Sequence, residues 1–129
     1  MMTLIARSLV AFVLLFSSVF AQAGEQRFSQ KAFDDLRAAG KPVLLHVHAT
    51  WCPICKKQAQ VISALESEDR FKNLTVMRVD FDTEKVVQAA LKVNARSTMI
   101  AFKGETEVGR SVGDTNPDSI AALLAKPLQ

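Results

Sequence analysis

The sequence predicts an α/β domain, with a mixed central sheet of about four strands flanked by helices on both faces. Three observations lead there. From residue 42 onward, short apolar runs rich in branched residues alternate with segments of helical periodicity, the rhythm of parallel strands joined by helical crossovers. Further on, two short runs are separated only by Gly104-Glu105, which marks an antiparallel hairpin. The two cysteines of the chain, Cys52 and Cys55, lie where one branched run gives way to a helical segment.

Residues 28–39 place apolar side chains at 28, 32, 33, 36 and 39, one helical face, with Ser29 as N-cap and Gly40 as the stop. Residues 43–49 read as a strand buried on both faces, with Pro42 tolerated only at its start. A helix begins near Cys52, where Pro53 fits the first turn because its missing N–H has no helical partner to lose. Val61, Ile62 and Leu65 form its apolar face. Residues 74–79 alternate and pair with the first strand. Asp82 and Thr83 are expected to cap a helix over 84–92 whose apolar face is Val86, Val87, Ala90 and Leu91. Residues 98–103 and 107–112 form the hairpin. Asn116-Pro117 opens a last helix with Ile120, Leu123 and Leu124 facing inward. Residues 24–27 are read as a polar lead-in.

Residues 1–23 have the pattern of a secretory signal. Arg7 supplies the positive start, residues 8–20 are almost wholly apolar, and Ala21-Gln22-Ala23 offers small residues at a cleavage site. The apolar run of about 13 residues is shorter than the roughly 20 that span a bilayer, so cleavage after Ala23 is expected over a retained anchor. Residues 24–129 then form one domain, destined for a bacterial periplasm. The chain carries 16 basic and 13 acidic side chains, a mild excess with no basic block. Nucleic acid is therefore not an expected partner.

An exported dithiol sits in an oxidising compartment. Two cysteines three positions apart close only a tiny loop, which adds little stability on the loop-entropy account. A redox role fits better than a structural staple. The first turn of a helix, with free N–H groups and a partial positive charge, stabilises the thiolate that does the chemistry.

These residues resemble the thioredoxin family. The likeness includes Trp51 before the first cysteine, Lys56 after the second, Asp82 after the second sheet strand, the Phe102-Lys103-Gly104-Glu105 hairpin and Val112-Gly113. It runs with almost no gaps from about Lys41 to Leu124. The resemblance implies a thioredoxin-like fold and a thiol–disulfide oxidoreductase without a separate cofactor, its redox group being the Cys52–Cys55 disulfide. It implies Cys52 as the exposed nucleophile and Cys55 as the resolving thiol. Trp51, with Pro53, Ile54, Ser97 and Thr98, would shape the substrate-docking surface.

Three departures from the family pattern stand out. Ser97 occupies the position of the usual cis-proline. A cis bond before a non-proline costs roughly 2.5–4 kcal/mol, so a trans bond and an altered loop are expected, with a hydroxyl available to a thiolate or a substrate backbone. His46 stands where the family has a buried aspartate that relays a proton to the resolving cysteine. It is either a relay with the same task or a core histidine satisfied by a backbone carbonyl. Arg78, where a lysine is common, would disfavour the imidazolium. His48 replaces a large aromatic and lies on the same side of the strand as His46. It either supports the Cys52 thiolate or fills space.

Pro53-Ile54 matches neither the pair common in reductants nor those common in strong oxidants, and Ile54 brings no charge to a thiolate. This favours a disulfide reductase acting on protein or small-molecule disulfides. No dinucleotide fingerprint is present, so electrons would come from a protein partner, expected to be a membrane electron donor. A monomer is expected. Two other readings remain: a copper(I)-handling module using Cys52, Cys55, His48 and Met99 as soft ligands, and a non-catalytic binding module on the same scaffold.

Overall fold

A computed structural model describes residues 24–129; the expected signal segment, 1–23, lies outside the described residues. The chain folds as β1 (Gln26–Arg27), α1 (Gln30–Ala38), β2 (Pro42–His48), α2 (Pro53–Glu66), β3 (Thr75–Asp80), α3 (Lys85–Ala90), β4 (Thr98–Lys103), β5 (Thr106–Val112) and α4 (Pro117–Ala125). Short 3₁₀ turns follow α2 and α4. The strands form one sheet in the order β1-β3-β2-β4-β5. β1, β3 and β2 run parallel, and β4 and β5 add antiparallel on the other side. This is the mixed sheet the sequence predicts, with one strand more.

The extra strand is β1. It is only two exposed residues, Gln26 and Arg27, paired with Met77 and Arg78. Such a short polar edge carries no apolar alternation, so nothing in its composition announces it.

The sheet is buried on both faces because its inner strands alternate between two cores. One face packs Leu44, Val76, Met99 and Ala101 under Ile62 and Leu65 of α2 and Ile120, Leu123 and Leu124 of α4. The other packs Val43, Leu45, Val47, Met77, Val79, Ile100 and Phe102 against Phe33 of α1 and Val87 of α3. In β2 every residue from Val43 to His48 is buried. Its odd-numbered residues therefore serve one core and its even-numbered residues, His46 and His48 among them, the other. At the β4–β5 hairpin Gly104 has φ +57°, and a Cβ there would lie 3.1 Å from the backbone of Gly40, so the turn requires glycine twice over.

Local signals place most helix ends. The Ser29 hydroxyl accepts from the Ala32 N–H, and the Asn116 side chain accepts from the Asp118 and Ser119 N–H groups. α3 differs from expectation. It has six residues, and neither Asp82 nor Thr83 caps it. Asp80 instead accepts from both of their backbone N–H groups at 2.8 and 3.2 Å. Val86 is 84% exposed, and the inward position goes to Gln88, whose amide donates to the carbonyls of Asp80, Phe81 and Glu84. Those carbonyls need a donor more than the core needs a valine. Among the described residues no helix is long and apolar enough to cross a membrane.

Candidate active site

Cys52 is the N-cap of α2. Its extended backbone turns Sγ back over the helix start, where it accepts from the Cys55 N–H at 3.2 Å, and Pro53 occupies the first helical position. The sulfur takes the place that a serine or aspartate oxygen fills at other helices, facing free N–H groups at the positive end of a 14-residue helix. Cys55, one turn on, is fully buried, and both cysteines are free thiols.

Ser97 reaches both sulfurs. Its hydroxyl lies 3.3 Å from Cys52 Sγ and 3.1 Å from Cys55 Sγ. The described residues contain no cis peptide bond, and Ser97 has φ +60°. A left-handed serine costs energy and is held by its surroundings. Its N–H donates to Val47 O at 2.9 Å, while its carbonyl accepts from the Gly113 N–H at 2.9 Å and the Gln58 amide at 3.0 Å. Proline, with a negative φ and no N–H, does not fit this loop conformation.

The two thiols are electrostatically unequal. Burial opposes charge on Cys52, but the Cys55 thiol, the Ser97 hydroxyl, the Cys55 N–H and the Arg96 guanidinium outweigh it and hold its pKa down at about 7. Burial, and then the Cys52 thiol itself, push Cys55 up. The family likeness implies an exposed Cys52. Here the residue is only 1% exposed, packed with Ala49, Cys55 and Phe81 and roofed by Ser97.

Behind the cysteines runs a buried polar chain. Gln58 is fully buried, and its amide nitrogen donates to Ser97 O and, at 2.8 Å, to Asp114 O. Its oxygen therefore accepts, from His46 Nε2 at 3.0 Å. His46 Nδ1 meets Glu25 Oε1 at 2.7 Å, and the other Glu25 oxygen accepts from Arg78 Nε at 2.9 Å. Burial raises the Glu25 pKa, yet His46 and Arg78 together leave it below the usual carboxylate range. Both ring nitrogens of His46 thus face acceptors, and neither meets a cysteine. A direct proton relay from His46 to Cys55 has no hydrogen bond to travel along. Nor is His46 a core histidine with one backbone carbonyl, because both partners are side chains. Arg78 was expected to press on the imidazole; Glu25 stands between them and offsets its charge.

His48 packs edge-on to His46, ring centroids 5.5 Å apart. Burial, Arg78 and His46 lower its pKa, which favours the neutral ring. It makes no hydrogen bond to Cys52, whose sulfur bonds Ser97 and the Cys55 N–H, and lines a cleft of about 660 Å³ with Glu25, Thr50, Arg78 and Asp80. Among the described residues no group of three or more His, Cys, Asp or Glu side chains is arranged to hold a metal ion. His48 therefore does not complete a soft-ligand set with the two thiols, and Met99 is fully buried in the core.

The rim is built by Trp51, 54% exposed, and Ile54, 45% exposed. The Trp51 indole N–H donates to Asp82 Oδ2 at 2.9 Å, and the Arg96 guanidinium stacks 4.6 Å from its ring centre. Pro53 is exposed beside them, while Thr98 is buried with its hydroxyl donating to Ala95 O at 2.6 Å. Glu25, Gln58 and Arg96 are site residues that sequence reasoning missed. Gln58 did carry a signal, since it interrupts the buried stripe Cys55, Ile62 and Leu65 on α2. Arg96 adjoins Ser97. Glu25, in a polar lead-in, carried none.

The thioredoxin family model matches residues 25–126. Thioredoxin of Chlamydia trachomatis is 37% identical over 101 residues, covering 78% of this chain and 96% of that protein. Thioredoxin of Mycobacterium tuberculosis is 38% identical over 79 residues, 61% of this chain and 67% of that one. Among solved structures, Trxlp from Edwardsiella tarda superposes with a TM-score of 0.76 at 36% identity, covering 78% of this chain and 98% of its own. The Malassezia sympodialis thioredoxin shares the fold at a TM-score of 0.72 and 21% identity, with 84% and 96% covered. With a close thiol pair at the head of α2 and likeness along nearly the whole described chain, the protein belongs to the thioredoxin family and is a thiol–disulfide oxidoreductase.

Proposed function

We propose that this protein is a disulfide reductase of the bacterial envelope, exported by a signal peptide cleaved after Ala23 and recharged by a membrane-protein electron donor. Cys52 is the nucleophile. Its thiolate attacks one sulfur of a substrate disulfide, forming a mixed disulfide and releasing the other sulfur as a thiolate that takes up a proton. Cys55 then gives up its proton and attacks Cys52 Sγ, closing the Cys52–Cys55 disulfide and releasing the second substrate sulfur as a thiol. The substrate gains two electrons and the protein loses them. Trp51, Pro53 and Ile54 form the docking edge, with the buried Ser97 and Thr98 shaping the loop beneath it. His46, Arg78 and His48 modulate the site from behind rather than touching the sulfurs.

The observation that carries the direction is the inequality of the thiols. Cys52, held at about 7, resembles the attacking thiol of a thioredoxin reductant, which titrates near 7, more than that of a strong oxidant, which titrates near roughly 3.5. The raised Cys55 stays protonated until the mixed disulfide forms, so the first attack falls to Cys52.

The test is the reduction potential of the pair, from equilibration in glutathione buffers with trapping of free thiols. A value near or below roughly −230 mV supports the reductase; one near roughly −120 mV reverses the direction. A Cys55→Ser variant should accumulate the mixed disulfide on Cys52. N-terminal sequencing of protein recovered from the envelope fraction should begin at Gly24.

A further inference from the structure

Arg96 directly precedes Ser97 and is exposed, yet its guanidinium is not loose. It lies 4.6 Å from the centre of the Trp51 ring, which is itself pinned by the 2.9 Å bond from the indole N–H to Asp82. The guanidinium also supports the Cys52 thiolate, but it has several N–H groups, and stacking on an indole leaves the remaining in-plane ones open to a planar acceptor. Among the described residues no carboxylate forms an ion pair with Arg96. Asp82 is committed to the indole. The first turn of α2 carries no acidic residue, and Lys56 and Lys57 on that helix are exposed. The rim of the reactive cysteine thus offers an oriented, carboxylate-matching cation.

We propose that Arg96 is the specificity-determining residue of this site, selecting peptide disulfides in which the attacked cysteine is flanked by a carboxylate. The inference rests on the reductase reading and names its substrate class. The guanidinium pairs with the flanking carboxylate while the substrate disulfide lies against Cys52. A basic flank meets like charge there and is disfavoured.

Three peptide disulfides, identical except for Glu, Gln or Lys beside the cysteine, are reduced by wild-type protein and by Arg96→Gln, Arg96→Lys and Arg96→Glu. Any change that Arg96 makes to the Cys52 thiolate alters all three peptides alike, so the ratios of kcat/KM isolate the contact. In the wild type the Glu peptide should exceed the Gln peptide by about threefold, the scale of an exposed ion pair, and the Lys peptide should fall below it. R96Q should bring the three together, R96K should keep part of the preference, and R96E should invert it. High salt should flatten the wild-type ratios. Equal rates for the three peptides in the wild type, or ratios that survive in R96Q, overturn the assignment. If none of the three peptides is reduced, the reductase reading fails and this proposal with it.

Discussion

The Ser97 hydroxyl is the point at which the site can be tested most directly. It lies within hydrogen-bond distance of both sulfurs, 3.3 Å from Cys52 and 3.1 Å from Cys55, and alanine removes only that oxygen. A hydrogen bond to a charged group contributes about 1.5–3 kcal/mol. Because this hydroxyl is shared between two sulfurs, the lower end applies, about 1.5 kcal/mol, which is about one pKa unit. Ser97→Ala should therefore lift Cys52 from about 7 to about 8. At neutral pH the thiolate fraction then falls from about a half to about a tenth, and alkylation slows about fivefold. A less stable thiolate also disfavours the dithiol, but with only about half of Cys52 ionised at neutral pH the loss is about 0.4 kcal/mol, lowering the reduction potential by about 8 mV. The assay is the pH dependence of iodoacetamide alkylation, checked by ultraviolet thiolate absorbance. Ser97→Gly, which relieves the positive φ, separates backbone strain from loss of the hydroxyl. A Cys52 midpoint that stays at its wild-type value in S97A would falsify the claim that Ser97 holds the thiolate.

Other outcomes follow from the buried polar chain. Gln58→Ala strands Asp114 O and His46 Nε2 and leaves Ser97 O with the Gly113 N–H alone, so urea unfolding should show a loss of about 2 kcal/mol or more; a loss under about 1 kcal/mol means water replaces the amide. Glu25→Gln leaves His46 and Arg78 without their carboxylate and should cost about 2 kcal/mol at neutral pH. The Glu25 pKa is depressed by folding, so its contribution is present above the unfolded carboxylate pKa and disappears as pH falls through the folded value. Wild-type and E25Q melting temperatures should accordingly converge in acid, and a constant gap would contradict the ion-pair account. Glu66 has the opposite sign: burial first, then repulsion from Glu25, raise its pKa to about 7. The folded state holds that proton longer than the unfolded chain, so stability should decline as pH rises from the ordinary carboxylate range through about 7. Glu66→Gln should flatten the decline and raise the melting temperature on the alkaline side; an unchanged slope would place the titration elsewhere.

Much of the fold was legible because its determinants are local. Pro53 at the first helical position, Ser29 and Asn116 as caps, and the alternation in β2 and β4 each act within a few residues. Those signals failed where a tertiary partner outbid them. Asp82 has the chemistry of a cap but binds the Trp51 indole 31 positions away, and Val86 has the chemistry of a core residue but gives the inward place to Gln88.

The sequence by itself determined the strand–helix junction that sets two thiols at a helix N-terminus, because chain spacing alone dictates that geometry. It also placed a serine, not a proline, beside them. Only the tertiary structure decided how the thiols differ and what holds them. Glu25 reaches His46 across 21 positions and Arg78 across 53, through an edge strand of two residues. Gln58 gathers acceptors 39 and 56 positions away, and Arg96 joins Trp51 across the active-site loop. A buried polar group declares that it needs a partner, but which partner it finds depends on the register and packing of strands far apart in the chain.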